Sequence, residues 1–528
     1  MSEGDLTEAL AGGPRWALRH ALRGEPFPLR LSYGRLGLCG LAGVHTPKGA
    51  RAPDLLVHPQ ALQDSLLSVL RRELMTHAVD LLSTASPALS ARHGILRWQA
   101  AALLMLVLGA LIAMLAAPQL LLVPASVAFL ALSSLKFTAV LWRLATRRSR
   151  TPLLLPADLP VYTVLVPLYR EDRVVGQLLD ALASLDYPPE KLDVKLVVEE
   201  RDRQTLSAIA AFQLPPWITV LRVPEGGPKT KPKALNIALP FSRGEFVVVY
   251  DAEDLPARDQ LKRAVSLFHQ SGPEVVCLQA RLAFHSGETN WLTRQFAIEY
   301  DLLFGTLLPL LSRVRLPFPL GGTSNHFRTA VLKQMGAWDP FNVTEDADLG
   351  FRLARLGLRA ATLDSVTLEE PVTDVPAWLR QRTRWLKGFL QTWLVLMRTP
   401  VLTARQMGPC GFLVMNLLMA GTLVSGIAHP WCLAIVAVQA ARGHAEPVGV
   451  AVLLAGHAMA IGAPLLHLAD SGRLRGYAAA CCTVPFHWLL VSAASYSAVV
   501  EFAVAPFRWN KTEHGRLQFG RRRVLGPV

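Results

Sequence analysis

The stretch Gly244-Glu-Phe-Val-Val-Val-Tyr-Asp-Ala-Glu-Asp-Leu255 decides the fold. Its β-branched and aromatic run, from Phe246 to Tyr250, predicts a strand that is buried on both faces, as in a parallel sheet. The strand stops at three acids, Asp251, Glu253 and Asp254. An open α/β sheet binds its ligand at the carboxyl ends of its strands, and clustered carboxylates there favour a hard divalent metal. The alternative, a solvated turn whose acid caps the next helix, stays open on this motif alone.

Strands alternate with short helices on both sides of this stretch. The expected strands are Val161–Leu168, Val194–Val198, Ile218–Val223 and Val275–Ala280, and the expected helices are Asp172–Leu185 and Lys233–Leu239. Strands separated by helices are typical of a mostly parallel, doubly wound sheet. The sequence therefore predicts an α/β nucleotide-binding domain from 160 to 374.

The chain around this domain is unusually apolar. Of the 528 residues, 51% are hydrophobic, which predicts membrane helices rather than a fully soluble protein. Their lengths predict about six spans, because about 20 apolar residues cross the hydrocarbon core. The expected spans are Trp98–Ala117, Leu120–Trp142, two within Gln406–Ala441, Val448–Leu468 and Gly476–Val500.

Charge and cysteine content favour a cytoplasmic α/β domain in an inner-membrane protein. Four arginines crowd the exit of the second span, and positive charge marks the cytoplasmic side. The net charge of +14 is assigned to such flanks, and no nucleic-acid partner is expected. The first 30 residues show no secretory signal peptide. The six cysteines include no CxxC pair, which fits a reducing compartment.

These segments give the expected domain organisation. The sequence predicts a small N-terminal cytoplasmic region of unknown role at 1–94, a transmembrane hairpin at 95–145 and the α/β domain at 160–374. An interfacial amphipathic helix at 375–398, four transmembrane helices at 406–505 and a basic cytoplasmic tail at 506–528 follow.

Several polar motifs follow one another in a fixed order. They are Pro167-Leu-Tyr-Arg-Glu-Asp172, Glu199-Glu-Arg-Asp202, Gly227-Pro-Lys-Thr-Lys-Pro-Lys-Ala-Leu-Asn236, Asp251-Ala-Glu-Asp254, Gly321-Gly-Thr-Ser-Asn-His-Phe-Arg328, Thr344-Glu-Asp346 and Gln381-Arg-Thr-Arg-Trp385. Over residues 160 to 515 the chain resembles the family-2 inverting glycosyltransferases, in the membrane-embedded branch that includes cellulose, chitin and hyaluronan synthases. Each motif alone is weak evidence, whereas their order is strong. The resemblance implies a GT-A-type domain.

The resemblance also implies roles for single residues. Asp251 and Glu253 hold Mg²⁺ or Mn²⁺ against the donor diphosphate, and Asp346 is the base that takes the acceptor proton. Gln381, Arg384 and Trp385 form the acceptor and leaving-group end. The implied donor-binding residues are Glu171, Glu199, Glu200, Lys231, Lys233, Asp251 and Lys511, the last within Trp509-Asn-Lys-Thr-Glu-His-Gly515.

Plainer interpretations stay open for these residues. Lys231 and Lys233 fit a solvated loop, and Asp346 also fits the acidic first turn of a helix. Arg384 and Trp385 fit an interfacial anchor, although Gln381 does not. Lys511 fits a basic membrane-exit segment, and His326 fits a core histidine.

The resemblance implies transfer of a sugar from a nucleotide sugar, a UDP-sugar in the first instance, to a growing β-linked polysaccharide that the membrane helices export. One alternative is transfer of a single sugar to a lipid acceptor. Another is a non-catalytic assembly partner with a vestigial sugar site. The expected partners are thus the donor, a glycan or lipid acceptor, membrane lipid and a further export or regulatory protein.

Overall fold

The computed structural model describes residues 29–33, 40–44, 55–57, 59–146, 152–153, 155–443 and 446–508. An eight-stranded mixed sheet forms the centre of the domain that follows the first two apolar helices, in the order β6-β5-β4-β7-β10-β9-β11-β8. Its strands are β4 Tyr162–Leu168, β5 Leu192–Glu199, β6 Ile218–Val223, β7 Phe246–Val249, β8 Leu255–Pro256, β9 Val275–Phe284, β10 Asn325–Arg328 and β11 Arg359–Glu369. Strands β10 and β8 run against the other strands, which confirms the mostly parallel α/β prediction.

Helices cover both faces of this sheet, so each face has its own apolar core. The helices of the domain are α5 Val175–Ala183, α6 Arg203–Ala210, α7 Lys231–Ala238, α8 Gln260–Gln270, α9 Trp291–Leu302, α10 Leu308–Arg313, α11 Thr329–Gln334 and α12 Glu345–Arg355. A π-helical turn, Leu303–Leu307, joins α9 to α10. All four residues of β7 are buried, as expected for a strand between two layers.

The strand register brings the carboxyl ends of three strands to one edge. Leu165 of β4 is level with Val249 of β7, and Leu168 is level with Val198 of β5. The segments that follow these strands therefore begin side by side. This register, rather than proximity in the sequence, brings the predicted donor-binding motifs together.

The N-terminal region packs on the outer edge of the sheet. A small antiparallel sheet, β1 Leu29–Tyr33, β2 Gly40–Val44 and β3 Leu55–Val57, precedes helices α1 Pro59–Val69 and α2 Arg71–Ala85. The Gln60 amide donates to the Val220 carbonyl and accepts from the Val220 N–H, at 2.7 and 2.8 Å. It thereby pairs backbone groups that edge strand β6 would otherwise leave exposed.

Five helical runs in the described part of the chain are long and apolar enough to span a membrane, against the about six predicted. They are Arg97–Ala116 (α3), the run Leu120–Ala145 within α4 Gln119–Ala145, Pro400–Ala441, Pro447–Asp470 (α16) and Val484–Val504 (α18). A short helix, α17 Leu474–Cys482, precedes α18.

The run Pro400–Ala441 differs from the prediction of two spans within 406–441. Helix α14 Pro400–Asn416 is kinked at Gly408, whose φ of 72° and ψ of 163° are not helical. From Pro409 onward the helix continues through a π-helical turn, Leu417–Gly421, into α15 Thr422–Ala441. Pro430 lies inside α15 and does not end it. Apolar helices tolerate an internal proline where neighbouring helices pack around it. Gly426, one turn earlier, is in close contact with Ser495 of α18.

The predicted amphipathic helix forms as α13 Val375–Leu396. Its aromatic face contacts protein: Trp378 is fully buried beside His487, and the Trp393 indole N–H donates to the Asn416 side chain at 2.9 Å. Helix α18 runs alongside α13 and shares a small apolar core with it. The aromatic residues therefore fix α13 between the domain and the membrane helices.

Candidate active site

A cavity of about 420 Å³ opens at the carboxyl ends of β4, β5 and β7. Residues from almost every predicted motif line it. Those named from the sequence that line it are Glu171, Glu199, Lys231, Asp251, Glu253, Asp346, Gln381, Arg384 and Trp385. The fold thus brings residues from positions 171 to 385 into one pocket.

Lys231 is a cation in the lining of this pocket that hydrogen bonds hold in place. It begins α7, and its ammonium donates to the Asp251 carboxylate and, at 2.6 Å, to the Gly322 carbonyl. Burial alone would lower the pKa of Lys231, but the carboxylates of Asp251, Glu345 and Asp346 outweigh burial and raise it. The lysine therefore stays charged across the physiological range.

The acidic turn after β7 is held by its third acid. The Asp254 carboxylate accepts hydrogen bonds from the Asp251 N–H at 2.7 Å and from the Thr323 hydroxyl. Burial, followed by the charges of Asp251 and Glu253, raises the pKa of Asp254 well above its usual range. Asp254 thus shapes the turn and leaves Asp251 and Glu253 to line the pocket.

Glu369 is a pocket residue that the sequence interpretation missed. It ends β11, and the Tyr300 hydroxyl donates to its carboxylate at 3.4 Å. Burial and the charges of Asp254, Glu253 and Asp251 raise its pKa well above the usual value. The signal was present in the sequence, because Glu369-Glu370 ends a run typical of a strand, as Asp251 does.

Whether a divalent cation fits this site depends on the crowded carboxylates of Asp251, Glu253 and Glu369. Carboxylate oxygens are the ligands that Mg²⁺ and Mn²⁺ prefer, and like charges held together in a buried site are relieved by a cation. In the described residues, no group of three or more His, Cys, Asp or Glu side chains is placed to hold an ion by itself. The residues fit a metal whose remaining ligands come from a bound diphosphate or water.

Asp346 lies in the first turn of α12, so both of its predicted roles are compatible with its position. Its carboxylate accepts from the Ala347 N–H at 2.8 Å. Burial raises the pKa of Asp346, although that hydrogen bond and the charges of Lys231 and Arg384 oppose the rise. Burial and the adjacent Asp346 charge raise the pKa of Glu345 to about 7.

Helix α13 is held tightly against the segment that carries Asp346. Gly388 permits the contact, because a Cβ atom there would lie 2.3 Å from the Thr344 hydroxyl oxygen. One turn later the Gln391 side chain accepts from the Val343 N–H at 3.1 Å, and Thr392 accepts from Asn342 at 2.9 Å. These contacts fix Gln381, Arg384 and Trp385 relative to Asp346.

Trp385 forms an aromatic wall of the pocket. Its ring stacks near Tyr300, with centroids 6.4 Å apart and planes inclined by 29°. The Arg382 guanidinium lies 4.9 Å from the centroid of the Trp385 ring and pairs with Glu299. The plane of the indole is thereby held by charged and aromatic neighbours on several helices.

Comparison with known proteins assigns this domain. Residues 160–388 match the model of the family described as Glycosyltransferase like family 2. The chain contains a family-2 glycosyltransferase domain. It is 28% identical over 242 residues to a beta-monoglucosyldiacylglycerol synthase of Trichormus variabilis, which covers 45% of this chain and 50% of that protein. It is 31% identical over 286 residues to cellulose synthase 2 of Novacetimonas hansenii, covering 52% of this chain and 17% of that protein.

The chain spans about half the length of the glycolipid synthases that it matches. Among solved structures, it is similar to the mannosyltransferase PcManGT from Pyrobaculum calidifontis in complex with GDP-Man and Mn2+. That similarity has a TM-score of 0.49 at 23% identity, and covers 71% of this chain and 98% of that chain.

Two predicted donor-binding residues lie away from the pocket of the glycosyltransferase domain. Glu200 points outward and pairs with Arg71 at 2.7 Å, because successive residues at a strand end face opposite sides. Lys233 is fully buried and pairs with Glu199 at 2.9 Å, so it orients that glutamate instead of lining the pocket. His326 is also a core residue, with its ring 2.7 Å from the Tyr162 hydroxyl. Lys511 lies outside the described residues.

Proposed function

We propose that this chain is a membrane-bound inverting glycosyltransferase that adds sugars from a nucleoside-diphosphate sugar to a growing β-linked polysaccharide. One observation carries the proposal. A single pocket holds a partly buried carboxylate, Asp346, near two cations, Lys231 and Arg384, together with the acids proposed to hold a metal. These are the groups that in-line displacement of a diphosphate requires.

The donor occupies the sheet edge in this proposal. Glu171 and Glu199 line the end of the pocket that suits the base and ribose. Asp251 and Glu253 would hold Mg²⁺ or Mn²⁺, and Glu369 lines the same pocket. When bound, the metal neutralises diphosphate charge and stabilises the departing oxygen.

The transfer step follows from the position of Asp346. Its carboxylate accepts the proton of an acceptor hydroxyl, whose oxygen forms the new bond to the anomeric carbon. The bond from that carbon to the diphosphate oxygen breaks on the opposite face, so the configuration inverts. The electron pair leaves with the nucleoside diphosphate, and Lys231 and Arg384 stabilise the added negative charge.

The side of the pocket that Trp385 and Gln381 form supports a glycan as the acceptor. Trp385 presents an aromatic face beside Gln381, and a sugar ring packs its C–H groups on such a face while an amide bonds its hydroxyls. The similarity to a cellulose synthase over half of this chain agrees with this choice.

A second candidate, transfer of one sugar to a lipid acceptor, is favoured by a different part of the same pocket. Apolar side chains also line it, namely Leu282, Leu303, Phe304, Leu320 and Phe389. The π-helical turn that supplies Leu303 and Phe304 shares an apolar core with residues of α4. An acceptor with a membrane-embedded tail would fit here, and glycolipid synthases are among the similar proteins.

The topology we propose places the domain in the cytoplasm, on the inner membrane, and has four crossing helices. Both ends of α18 contact the domain side: Thr483 accepts from the Trp291 indole at 2.8 Å, and Lys387 donates to the Arg508 carbonyl at 2.7 Å. Helix α18 would then lie along the membrane surface beside α13. A reporter fused after Val528 should therefore be accessible from the same side as the domain, whereas a spanning α18 would place it on the opposite side.

Product analysis tests the proposed function. Purified protein in nanodiscs is given Mg²⁺ or Mn²⁺ and labelled UDP- and GDP-sugars, with Asp346→Asn as the matched variant. We expect a long glycan from one donor and none from the variant. A lipid that carries one sugar would support the second candidate instead. Neither transfer nor donor hydrolysis with any nucleotide sugar would refute both and favour a non-catalytic assembly partner.

A further inference from the structure

One face of helix α13 carries a cation between two tryptophans. Trp378, Arg382 and Trp385 are four and three residues apart, so they lie on the same side of the helix. The Arg382 guanidinium lies 5.0 Å from the centroid of the Trp378 ring and 4.9 Å from that of the Trp385 ring. Trp385 lines the pocket, whereas Arg382 does not. The arginine can therefore fix the tryptophan without contacting a substrate in the pocket.

Helix α9 presents the opposing face. Phe296, Glu299 and Tyr300 follow the i, i+3, i+4 spacing, so they are neighbours on the surface of the helix. The Phe296 ring lies 5.7 Å from the Trp385 ring, centroid to centroid, and its centroid lies 5.2 Å from the Arg382 guanidinium. Glu299 pairs with Arg382. The ion pair is thus enclosed in an aromatic contact that includes Trp385.

Glu299 is the group that keeps Arg382 between the rings. In the described part of the chain it is the one carboxylate that pairs with Arg382, whose side chain is only 16% exposed. Burial alone would raise the pKa of Glu299, but the charge of Arg382 and of other neighbours outweighs burial and lowers it. A mostly buried guanidinium is costly without its carboxylate. Without Glu299 the arginine would therefore move toward water and leave the rings.

Two further helices meet Glu299. The His487 Nδ1 atom of α18 lies 4.0 Å from the Glu299 Oε1 atom. The charge of Lys136, in the apolar run of α4, also acts on Glu299. A lysine in such a run is costly unless another charge meets it. Side chains of α4, α13 and α18 thus converge on one carboxylate of α9, which defines its position.

Stabilisation of the fold alone does not explain this arrangement. Asp193 shows what a structural buried carboxylate looks like, since it pairs with Lys195 at 3.0 Å and with Arg243 at 3.1 Å. None of these three residues lines the pocket. The partner of Glu299 instead lies against the ring of Trp385, which does line it. The two carboxylates therefore make a matched pair for experiment.

We propose that Glu299 is a positioning residue, which acts through Arg382 to hold the indole of Trp385 in the plane on which the acceptor sugar packs. The inference rests on the proposed function, in which Trp385 meets the acceptor. Donor binding and donor hydrolysis do not need this plane, because Glu171, Glu199 and Asp251 stand on the sheet edge. Loss of Glu299 should therefore lower transfer to the acceptor more than hydrolysis of the donor.

The partition of the donor between transfer and hydrolysis tests this role. The full-length protein in nanodiscs receives Mg²⁺ or Mn²⁺ and the labelled nucleotide sugar that the wild type uses, and glycosylated product and free sugar are both measured. We expect Glu299→Gln to lower the ratio of transfer to hydrolysis about tenfold at an unchanged donor KM, since misplacement by part of an ångström has this size of effect. Asp193→Asn is the matched control, and it should lower thermal stability and leave the ratio unchanged.

A double variant separates positioning from stability. Trp385→Ala should lower the ratio by itself, and adding Glu299→Gln should lower it no further, because the same contact cannot be lost twice. A second full loss in the double variant would overturn the proposal. An unchanged ratio in Glu299→Gln, or an equal loss in Asp193→Asn, would also overturn it.

Arg382→Lys decides the matter if Glu299→Gln fails to fold. It keeps the positive charge beside Glu299 but lacks the flat guanidinium that packs on the rings. We expect the same fall in the ratio of transfer to hydrolysis, and an unchanged ratio would refute the role. Failure of the proposed function would look different, because the wild type itself would then transfer sugar to no acceptor.

Discussion

Gly388→Ala is the sharpest test of how the active site is assembled. The added Cβ atom would lie 2.3 Å from the Thr344 hydroxyl oxygen and 2.4 Å from its methyl carbon, whereas ordinary contacts begin at 3.4 Å. Helix α13 must therefore withdraw by about 1 Å from the segment that carries Asp346, and misplacement of that size costs about 100-fold in rate. We expect kcat to fall by about that factor.

Donor affinity should change little in this variant, because Glu171, Glu199 and Asp251 stand on the sheet edge and not on α13. Glycosyl transfer and nucleotide release are measured at saturating donor, and donor binding is measured separately by calorimetry. Alanine is also favoured over glycine inside a helix by about 1 kcal/mol, so helix propensity cannot explain a loss.

Gly176→Ala is the matched control. It lies in helix α5 of the same domain, and its new Cβ atom would meet its nearest neighbour, Phe212, at an ordinary 3.5 Å. We expect unchanged activity there. Thr344→Ala should partly rescue Gly388→Ala, because it removes two of the three close atoms. Full turnover in Gly388→Ala would refute the claim that the Gly388 contact sets the geometry of Arg384 and Asp346.

Four further predictions concern the pocket. Asp346→Asn should lower kcat by about 10²- to 10⁴-fold, as loss of a general base does, with donor affinity retained; an equal loss of donor affinity would contradict that role. A base works when deprotonated and burial raises the pKa of Asp346, so kcat/KM should fall on acidification at a pH above the usual aspartate range. Because the pKa of Glu345 is about 7, its carboxyl is protonated before that of Asp346 on acidification, so Glu345→Gln should leave this fall at the same pH, and a shifted profile would contradict that order. Glu369→Gln should raise the metal concentration for half-maximal activity about tenfold, and an unchanged metal titration would exclude Glu369 from the site.

The local sequence was enough to predict the pocket residues that lie at the end of a single strand. Asp251 and Glu199 reach the pocket because their strands are buried runs with a sharp polar end, and such ends meet in a parallel sheet. The sequence left open which of Glu199 and Glu200 faces the donor. The side-chain alternation at the end of β5 places Glu199 in the pocket and turns Glu200 toward Arg71.

Longer-range features could not be predicted from motifs. Glu369 reaches the acids of the 251–254 turn only because β11 pairs with both β9 and β8, through a register shift between Leu363 and Val366. Lys231 and Lys233 lie two residues apart at the start of α7 and therefore point to different sides. One lines the pocket, and the other is buried against Glu199. The local sequence around the two lysines is alike, so only their tertiary contacts show which of them lines the pocket.

The balance of charge in the pocket indicates how its acids and cations would receive a diphosphate and a metal. The lining contains seven acidic side chains and three cationic ones. The acids are Glu171, Glu199, Asp251, Glu253, Glu345, Asp346 and Glu369, and the cations are Lys229, Lys231 and Arg384. An anionic diphosphate entering this surplus of negative charge would be repelled unless a divalent cation accompanied it. The proposed donor site is thus selective for a metal–diphosphate pair over either component alone. Lys231 donates to the Asp251 carboxylate and to the Gly322 carbonyl, and its ammonium has a third N–H, so it can meet the diphosphate while it still holds Asp251 in place.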